Sequence, residues 1–260
     1  MSATILNLSA YRFVPLDGLP ALQARIREAA EAAGLRGTVL LAAEGINLFV
    51  AGPIAAARAW LEALREDPRL AGLQAKESLS ETLPFRRLKV RIKREIIRMD
   101  MPVIQPAEGR APAVAPQTLA RWIEQGQDDA GRPLRLLDTR NAFEVDAGAF
   151  ADAIDWRLNR FSEFPAALAA HRDELQGCTV VSYCTGGIRC EKAALVMQQL
   201  GLDHSYQLEG GILQYFQATG GRAPGWQGRC FVFDEREGLD PQLRPVAGLP
   251  TPDPTAPRPA

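Results

Sequence analysis

Apolar positions recur along the first hundred residues in two alternating rhythms. TILNLSAYRFV, from Thr4, has the period of a strand, and LPALQARIREAAEAAG follows with the period of an amphipathic helix. In that helix Leu22, Ile26 and the Ala29–Ala30 pair fall on one side, and Gly34 is the stop. TVLLAA and INLFVAG then predict two strands joined by a tight turn at Glu44-Gly45. IAAARAWLEALRED predicts a second helix between Pro53 and Pro68, because proline suits the start of a helix and disfavours helical backbone in the residue before it. LQAKESLS and RRLKVRIKREIIR close the segment as strands. The order reads as β-α-β-β-α-β, a ferredoxin-like (acylphosphatase-like) domain over residues 1–100.

Residues 101–117, MPVIQPAEGRAPAVAPQ, are proline-rich and predict an extended inter-domain linker. The rhythm then changes. TLARWIEQG, EFPAALAAHRDELQG and CEKAALVMQQLGL read as helices, alternating with the short apolar strands PLRLLDT, TVVSYCT and HSYQLEGG. Such alternation predicts a doubly wound parallel α/β domain over residues 118–237, since each crossover lays a helix on the sheet. Ligands of such sheets gather beyond the carboxyl ends of the strands, and Cys184 lies at that end of its strand. Residues 238–260, again rich in proline, predict a disordered tail.

Composition adjusts this picture only a little. A chain of 260 residues that is 47% hydrophobic and 23% charged is long enough for two cores. Its net charge of −1 argues for no nucleic-acid partner by itself, so local charge has to be read separately. The N-terminus lacks the pattern of a signal peptide and no stretch has the length of a membrane span, so a cytoplasmic protein with no membrane partner is expected. Four cysteines between positions 178 and 230 read as reduced thiols and not as a disulfide framework. No metal site is expected, because five residues separate Cys184 from Cys190 and nothing in the spacing gathers His171 and His204, the only histidines.

The densest chemistry is in SYCTGGIRCEKA, residues 182–193. Gly186 and Gly187 free the backbone to curl so that successive N–H groups point inward, and the following helix adds the partial positive charge of its N-terminus. A thiolate at Cys184 would sit at the centre of this cradle of Thr185, Gly186, Gly187, Ile188 and Arg189, with its pKa lowered. A buried structural cysteine and a transient Cys184–Cys190 disulfide remain alternatives. Tyrosine phosphatases place five residues between cysteine and arginine, whereas Cys184 and Arg189 enclose four, and the shorter ring suits a terminal sulfur better than a phosphate.

Other residues invite weaker readings. Asp138 and Arg140 end a strand on the loop's side of the sheet; they could support the loop or meet substrate, with pairing of Arg140 and Glu144 as a local brace favoured. Trp226 and Phe231 flank Cys230 and read first as core and second as surfaces for stacking a base. In RRLKVRIKREIIR, a strand would send Leu88, Val90 and Ile92 to the core and line Arg87, Lys89, Arg91 and Lys93 along the other face. That basic ladder reads either as a solvated strand that deters edge pairing or as a phosphate-tracking surface.

The six-residue loop from Cys184 to Arg189 resembles the active loop of rhodanese domains, whose cysteine takes up sulfur as a persulfide. DTRNAFEVDAGAFADAIDW at 138–156 and LEGGILQY at 208–215 resemble the upstream signature and the closing glycine pair of those domains. AAEGINLFVAG, DTRNAFEV, YCTGGIRCEKA and GRCFVFDER, in this order, resemble the oxygen-dependent tRNA uridine hydroxylase family over about residues 4 to 237. The resemblance implies a ferredoxin-like domain, a rhodanese domain, and hydroxylation of wobble uridine 34 of tRNA to 5-hydroxyuridine. It places the persulfide-type cysteine at Cys184 and a second cysteine, of no derived role, at Cys190. Where the general rhodanese signature has histidine and isoleucine after the glycine, this chain has Ala149 and Phe150. No cofactor is evident; molecular oxygen and an unidentified reductant are implied by the resemblance, with the tRNA anticodon region as partner and no protein partner indicated. A plain persulfide-carrying sulfurtransferase and a non-catalytic RNA-binding adaptor are the alternatives. The thiol in its cradle argues against the adaptor, since a scaffold would not need it.

Overall fold

The computed structural model describes residues 4–246, and the chain divides into two compact units, 1–98 with 105–109 and 99–104 with 110–260. The first unit begins with β1 (Ile5–Phe13), α1 (Leu19–Ala32), β2 (Arg36–Ala42), β3 (Gly45–Pro53) and α2 (Ile54–Arg65). It continues with β4 (Ala75–Ser80) and β5 (Leu88–Ile92). The sheet order is β4-β1-β3-β2-β5, antiparallel throughout except that β5 runs parallel to β2. A ferredoxin-like β-α-β-β-α-β sheet is therefore extended by a fifth strand at one edge.

The helices form where the apolar stripe requires them. Leu22, Ile26 and Ala30 of α1 and Ala57, Trp60, Leu61 and Leu64 of α2 are buried. They share one core with Leu6, Leu8, Val39, Leu41, Leu48 and Val50 of the sheet. Gln23 and Arg27 of α1 each donate to the Val90 carbonyl at 2.8 Å, fastening the helix to the edge strand. The basic ladder is only partly as expected. Val90 is buried and Leu88 packs against the core, but Ile92, at the strand end, is exposed, and Lys89 is half-buried while Arg87, Arg91 and Lys93 are open. AAEGIN has a structural use: Glu44 accepts from the Ile96 N–H at 2.7 Å, and the Asn47 side chain donates to the Ile96 carbonyl at 3.1 Å.

The second unit has a parallel sheet of β6 (Ala113–Val114), β7 (Leu134–Asp138), β9 (Thr179–Tyr183) and β10 (Ser205–Leu208), in the order β6-β10-β9-β7. Ile154 adds a parallel bridge on the far side of β7. The remaining elements are α3 (Pro116–Gln125), α4 (Ala142–Ala147), β8 (Gly148–Phe150), α5 (Phe164–His171), α6 (Ile188–Gln199) and α7 (Gly211–Ala218). β11 (Trp226–Gly228) pairs with β8, and β12 (Cys230–Phe231) with β13 (Gly238–Leu239).

Strand alternation separates the two faces of the sheet. Val181 and Tyr183 of β9 join a core with Leu119 and Trp122 of α3 and Ile212 and Phe216 of α7. Ser182 points the other way and donates to the Cys190 carbonyl on α6 at 3.3 Å.

Two boundaries differ from the reading of the sequence. Residues 101–117 are not wholly linker: Ala113–Val114 is an edge strand on β10, and α3 starts at Pro116. Proline enrichment misled here, because an edge strand and the first turn of a helix both tolerate it. Nor is the tail disordered from residue 238, since Gly238–Leu239 pairs with β12 and Leu239 bridges to Pro245. The rest of that predicted tail, 247–260, lies outside the described residues. Among the described residues no helix is long and apolar enough to cross a membrane.

Candidate active site at the Cys184 loop

β9 is buried along its whole length and delivers Cys184 to its carboxyl end. The chain then turns through Thr185–Gly187 into α6. Gly187 makes that turn at φ 102°, a backbone conformation that side-chain-bearing residues rarely adopt, and becomes the N-cap of the helix. Its N–H donates to the Cys184 Sγ at 3.2 Å, and the N–H groups of Arg189 and Cys190 donate to the same sulfur. All six residues from Cys184 to Arg189 are buried, with Cys184 having no solvent-exposed surface.

A second helix fixes the outer side of the loop. At the start of α7 the Ile212 N–H donates to the Cys184 carbonyl at 2.9 Å and the Leu213 N–H to the Thr185 carbonyl at 3.1 Å. The carbonyls are thus drawn outward toward one helix while N–H groups face the sulfur from the other. Gly211 permits this approach: it sits at φ +67°, and a Cβ there would lie 2.4 Å from the Cys184 carbonyl oxygen and 2.6 Å from the Gly187 nitrogen. Gly211→Ala should destabilise the protein by about 1–3 kcal/mol and displace the loop, read as a lowered melting temperature together with a raised Cys184 pKa. An unchanged thiol titration would show that the loop does not depend on α7.

Arg189 turns its guanidinium to Glu144. Its Nη1 and Nη2 form a fork on Glu144, at 2.6 Å and 2.7 Å. Glu144 also accepts from the Asn141 N–H at 3.0 Å, at the start of α4, and from the Thr185 hydroxyl at 3.4 Å. Burial alone would raise the Glu144 pKa, but Arg189 holds it below the usual carboxylate range. Both partners therefore stay ionised at neutral pH.

The favoured Arg140–Glu144 brace is not what forms. Arg140 pairs with Asp138, with Nη2 to Oδ2 at 2.6 Å and Nε to Oδ1 at 2.9 Å. It meets Glu144 only through the backbone carbonyl, at 3.2 Å. Arg140 also donates to the Gly148 carbonyl at 2.7 Å and lies over the rings of Tyr183 and Trp226. Asp138 and Arg140 are buried and hold the strand ends beneath the loop. Spacing alone could not choose between Asp138, two residues before Arg140, and Glu144, four residues after it.

These contacts set the thiol chemistry. Burial alone would raise the Cys184 pKa, but the Cys190 thiol donates to its sulfur, Arg189 is nearby, and the cradle N–H groups add to both, bringing it down to about 5. Cys184 is thus a thiolate at neutral pH, whereas Cys230 is pushed up to about 12, first by burial, and stays a thiol. The thiolate absorbance of wild type minus Cys184→Ser should titrate with a midpoint near pH 5. A midpoint at the ordinary thiol value of about 8.5 would refute an activated sulfur.

The structure also changes the standing of Cys190. The sequence places it just outside the loop, yet its Sγ turns back to within 3.0 Å of the Gly187 carbonyl oxygen and its thiol donates to the Cys184 sulfur. Its place in the first turn of a helix, three residues past Gly187, was the available signal. Trp226, half-buried, packs against Phe150 and Phe216 at the edge of the core. Phe231 forms an edge-to-face group with Phe143 and Phe233. His171 stacks on Trp156 and bonds Glu174. Among the described residues no group of three or more His, Cys, Asp or Glu side chains is placed to hold a metal ion.

Comparison with known proteins agrees with this division of the chain. Residues 5–96 match the family described as UPF0176 acylphosphatase like domain, and residues 115–218 match the rhodanese-like domain. A tRNA uridine(34) hydroxylase of Bordetella petrii is 64% identical over 245 residues, which are 94% of this chain and 96% of that protein. The protein of the same name from Delftia acidovorans is 59% identical, over 94% of this chain and 92% of its own length. With its acylphosphatase-like unit, its rhodanese-like unit and this extent of identity, the chain belongs to the tRNA uridine(34) hydroxylase family.

Proposed function

We propose that this protein hydroxylates uridine 34 of tRNA to 5-hydroxyuridine, with Cys184 supplying the reactive sulfur, carried as a persulfide, and molecular oxygen as the oxidant. The observation that carries the reading is the buried Cys184 sulfur in its N–H cradle, in a chain whose relatives bear the hydroxylase name. Inserting one oxygen atom at the base consumes two electrons and leaves the second oxygen as water, so a reductant is part of the reaction. The chain's own contribution is to hold the sulfur ionised, to keep water away from it, and to fix its direction through α6 and α7. Arg87, Arg91 and Lys93, with the half-buried Lys89 among them, form the surface that follows the phosphates near the anticodon. The reaction takes place in the cytoplasm, where its tRNA substrate is.

Mass spectrometry of tRNA nucleosides from cells grown in air, with and without the protein, tests the reaction. Equal 5-hydroxyuridine and derivatives in both, with no redundant enzyme, would end the proposal. Replacing Arg87, Arg91 and Lys93 with alanine should weaken tRNA binding and lower the salt slope by about one for each phosphate no longer neutralised. An unchanged slope would remove this strand from the RNA surface. A second reading, sulfur transfer alone, is favoured by the rhodanese-like match over the loop and would show as thiosulfate-to-cyanide transfer that persists where hydroxylation is absent.

A further inference from the structure

Two of the four cysteines share one glycine. The Gly187 N–H donates to the Cys184 sulfur at 3.2 Å, and the Cys190 sulfur lies 3.0 Å from the Gly187 carbonyl oxygen. Cys184 and Cys190 are both free thiols with no exposed surface, at the two ends of one tight turn. The other cysteines are placed differently. Cys178 precedes β9 at the end opposite Cys184, six residues and about 20 Å of strand away. Cys230 lies on β12, with its sulfur near the Phe231 carbonyl at 3.7 Å.

We propose that Cys184 and Cys190 form a dithiol modification site whose substrate is a peroxide. The Cys184 thiolate attacks the peroxide, so that an S–O bond forms, the O–O bond breaks and hydroxide leaves. The Cys190 sulfur then attacks the Cys184 sulfur; an S–S bond forms, the S–O bond breaks, and the departing hydroxide takes up the Cys190 proton as water. Two electrons pass from the thiolate and the thiol to one hydrogen peroxide, which becomes one water and one hydroxide, and the hydroxide takes a proton from solvent. A small dithiol reverses the change by exchange.

The order of these steps follows from the charges. At rest, burial and then the adjacent Cys184 hold the Cys190 proton in place, its pKa being raised well above the thiol range. Oxidation of Cys184 removes the second of these and leaves the first, so Cys190 gives up its proton more readily after Cys184 has reacted than before. Once peroxide reaches the buried sulfur through an opening of the loop, a low-pKa thiolate beside a second thiol is the arrangement in which a sulfenic acid ends as a reversible disulfide and not as an irreversible sulfinic acid. The consequence is an enzyme that switches itself off under oxidation and recovers on reduction, whatever substrate Cys184 serves.

The test treats the full chain with hydrogen peroxide, blocks free thiols, and maps peptides without reduction. Trypsin cleaves after Arg189, so a disulfide is read as peptide 173–189 joined to 190–192. A Cys178→Ala background assigns the bond to Cys184, the other cysteine of the first peptide. The expected result is this crosslink, reversed by dithiothreitol, and about tenfold faster sulfinic acid formation at Cys184 in Cys190→Ser. Serine keeps a hydroxyl donor at that position, so the variant folds while lacking the second sulfur; its melting curve checks this. The proposal is overturned if Cys184 goes to sulfinic acid equally fast in wild type, if it pairs with Cys178 or Cys230, or if it does not react with peroxide.

Discussion

Cys184→Ser is expected to lower uridine 34 hydroxylation by about a thousandfold or more, while leaving a folded protein. The oxygen of serine is the same kind of hydrogen-bonding atom, but it does not ionise in this pH range. The N–H groups of Gly187, Arg189 and Cys190 would then surround a neutral group in place of an anion. The accompanying stability change has a definite sign. A thiol whose folded pKa is near 5 and whose unfolded value is about 8.5 stabilises the folded state fully above the unfolded value, progressively less as the pH falls, and not at all below 5. The serine variant should therefore be less stable than wild type at neutral pH, with the gap closing as the pH approaches 5. Denaturant unfolding of both proteins across that range checks the sign; a gap that widens on acidification would contradict a native-state thiolate.

Glu144→Ala is expected to do more damage to the fold than any change at the sulfur itself. It leaves the Arg189 guanidinium buried without its fork partner and removes the acceptor of the Asn141 N–H and the Thr185 hydroxyl. Breaking one side of a buried ion pair costs about 3–5 kcal/mol, a fall in melting temperature on the order of 10 °C for a protein of this size. Activity should fall with it. The informative control is Glu144→Leu with Arg189→Met, since removing both charges avoids the uncompensated one. That pair should recover much of the stability and little of the activity. Full recovery of activity would show that the pair only supports the fold and does not shape the loop.

The periodicity of the chain exposed most of the architecture. Leu22, Ile26 and Ala30, or Val181 and Tyr183, are spaced as the burial of a helix or strand demands, and their elements are where that spacing puts them. What periodicity could not convey was pairing across sequence. Glu144 and Arg189 are 45 residues apart and meet only because β7 and β9 are neighbours whose ends open on the same side. Gly211 likewise reads as a turn residue until α7 is seen resting on the loop. The role of Cys190 stayed underived, because position alone does not show that a side chain in the first turn of α6, leaning toward the helix N-terminus, comes back to the loop. The basic strand was legible as a pattern, although half-buried Lys89 and exposed Ile92 both break the alternation of burial.

The short strand at Ala113–Val114 sets where the second unit can be separated from the first. A fragment starting at Thr118 would keep the rhodanese-like strands and the loop, yet it would strip β10 of its neighbour and leave a row of unpaired N–H and carbonyl groups along an otherwise buried strand. Such an edge invites other chains to pair with it. An isolated sulfur-bearing unit would therefore have to begin upstream of Ala113 to stay monomeric, and a cut chosen by composition alone would yield aggregate in place of enzyme.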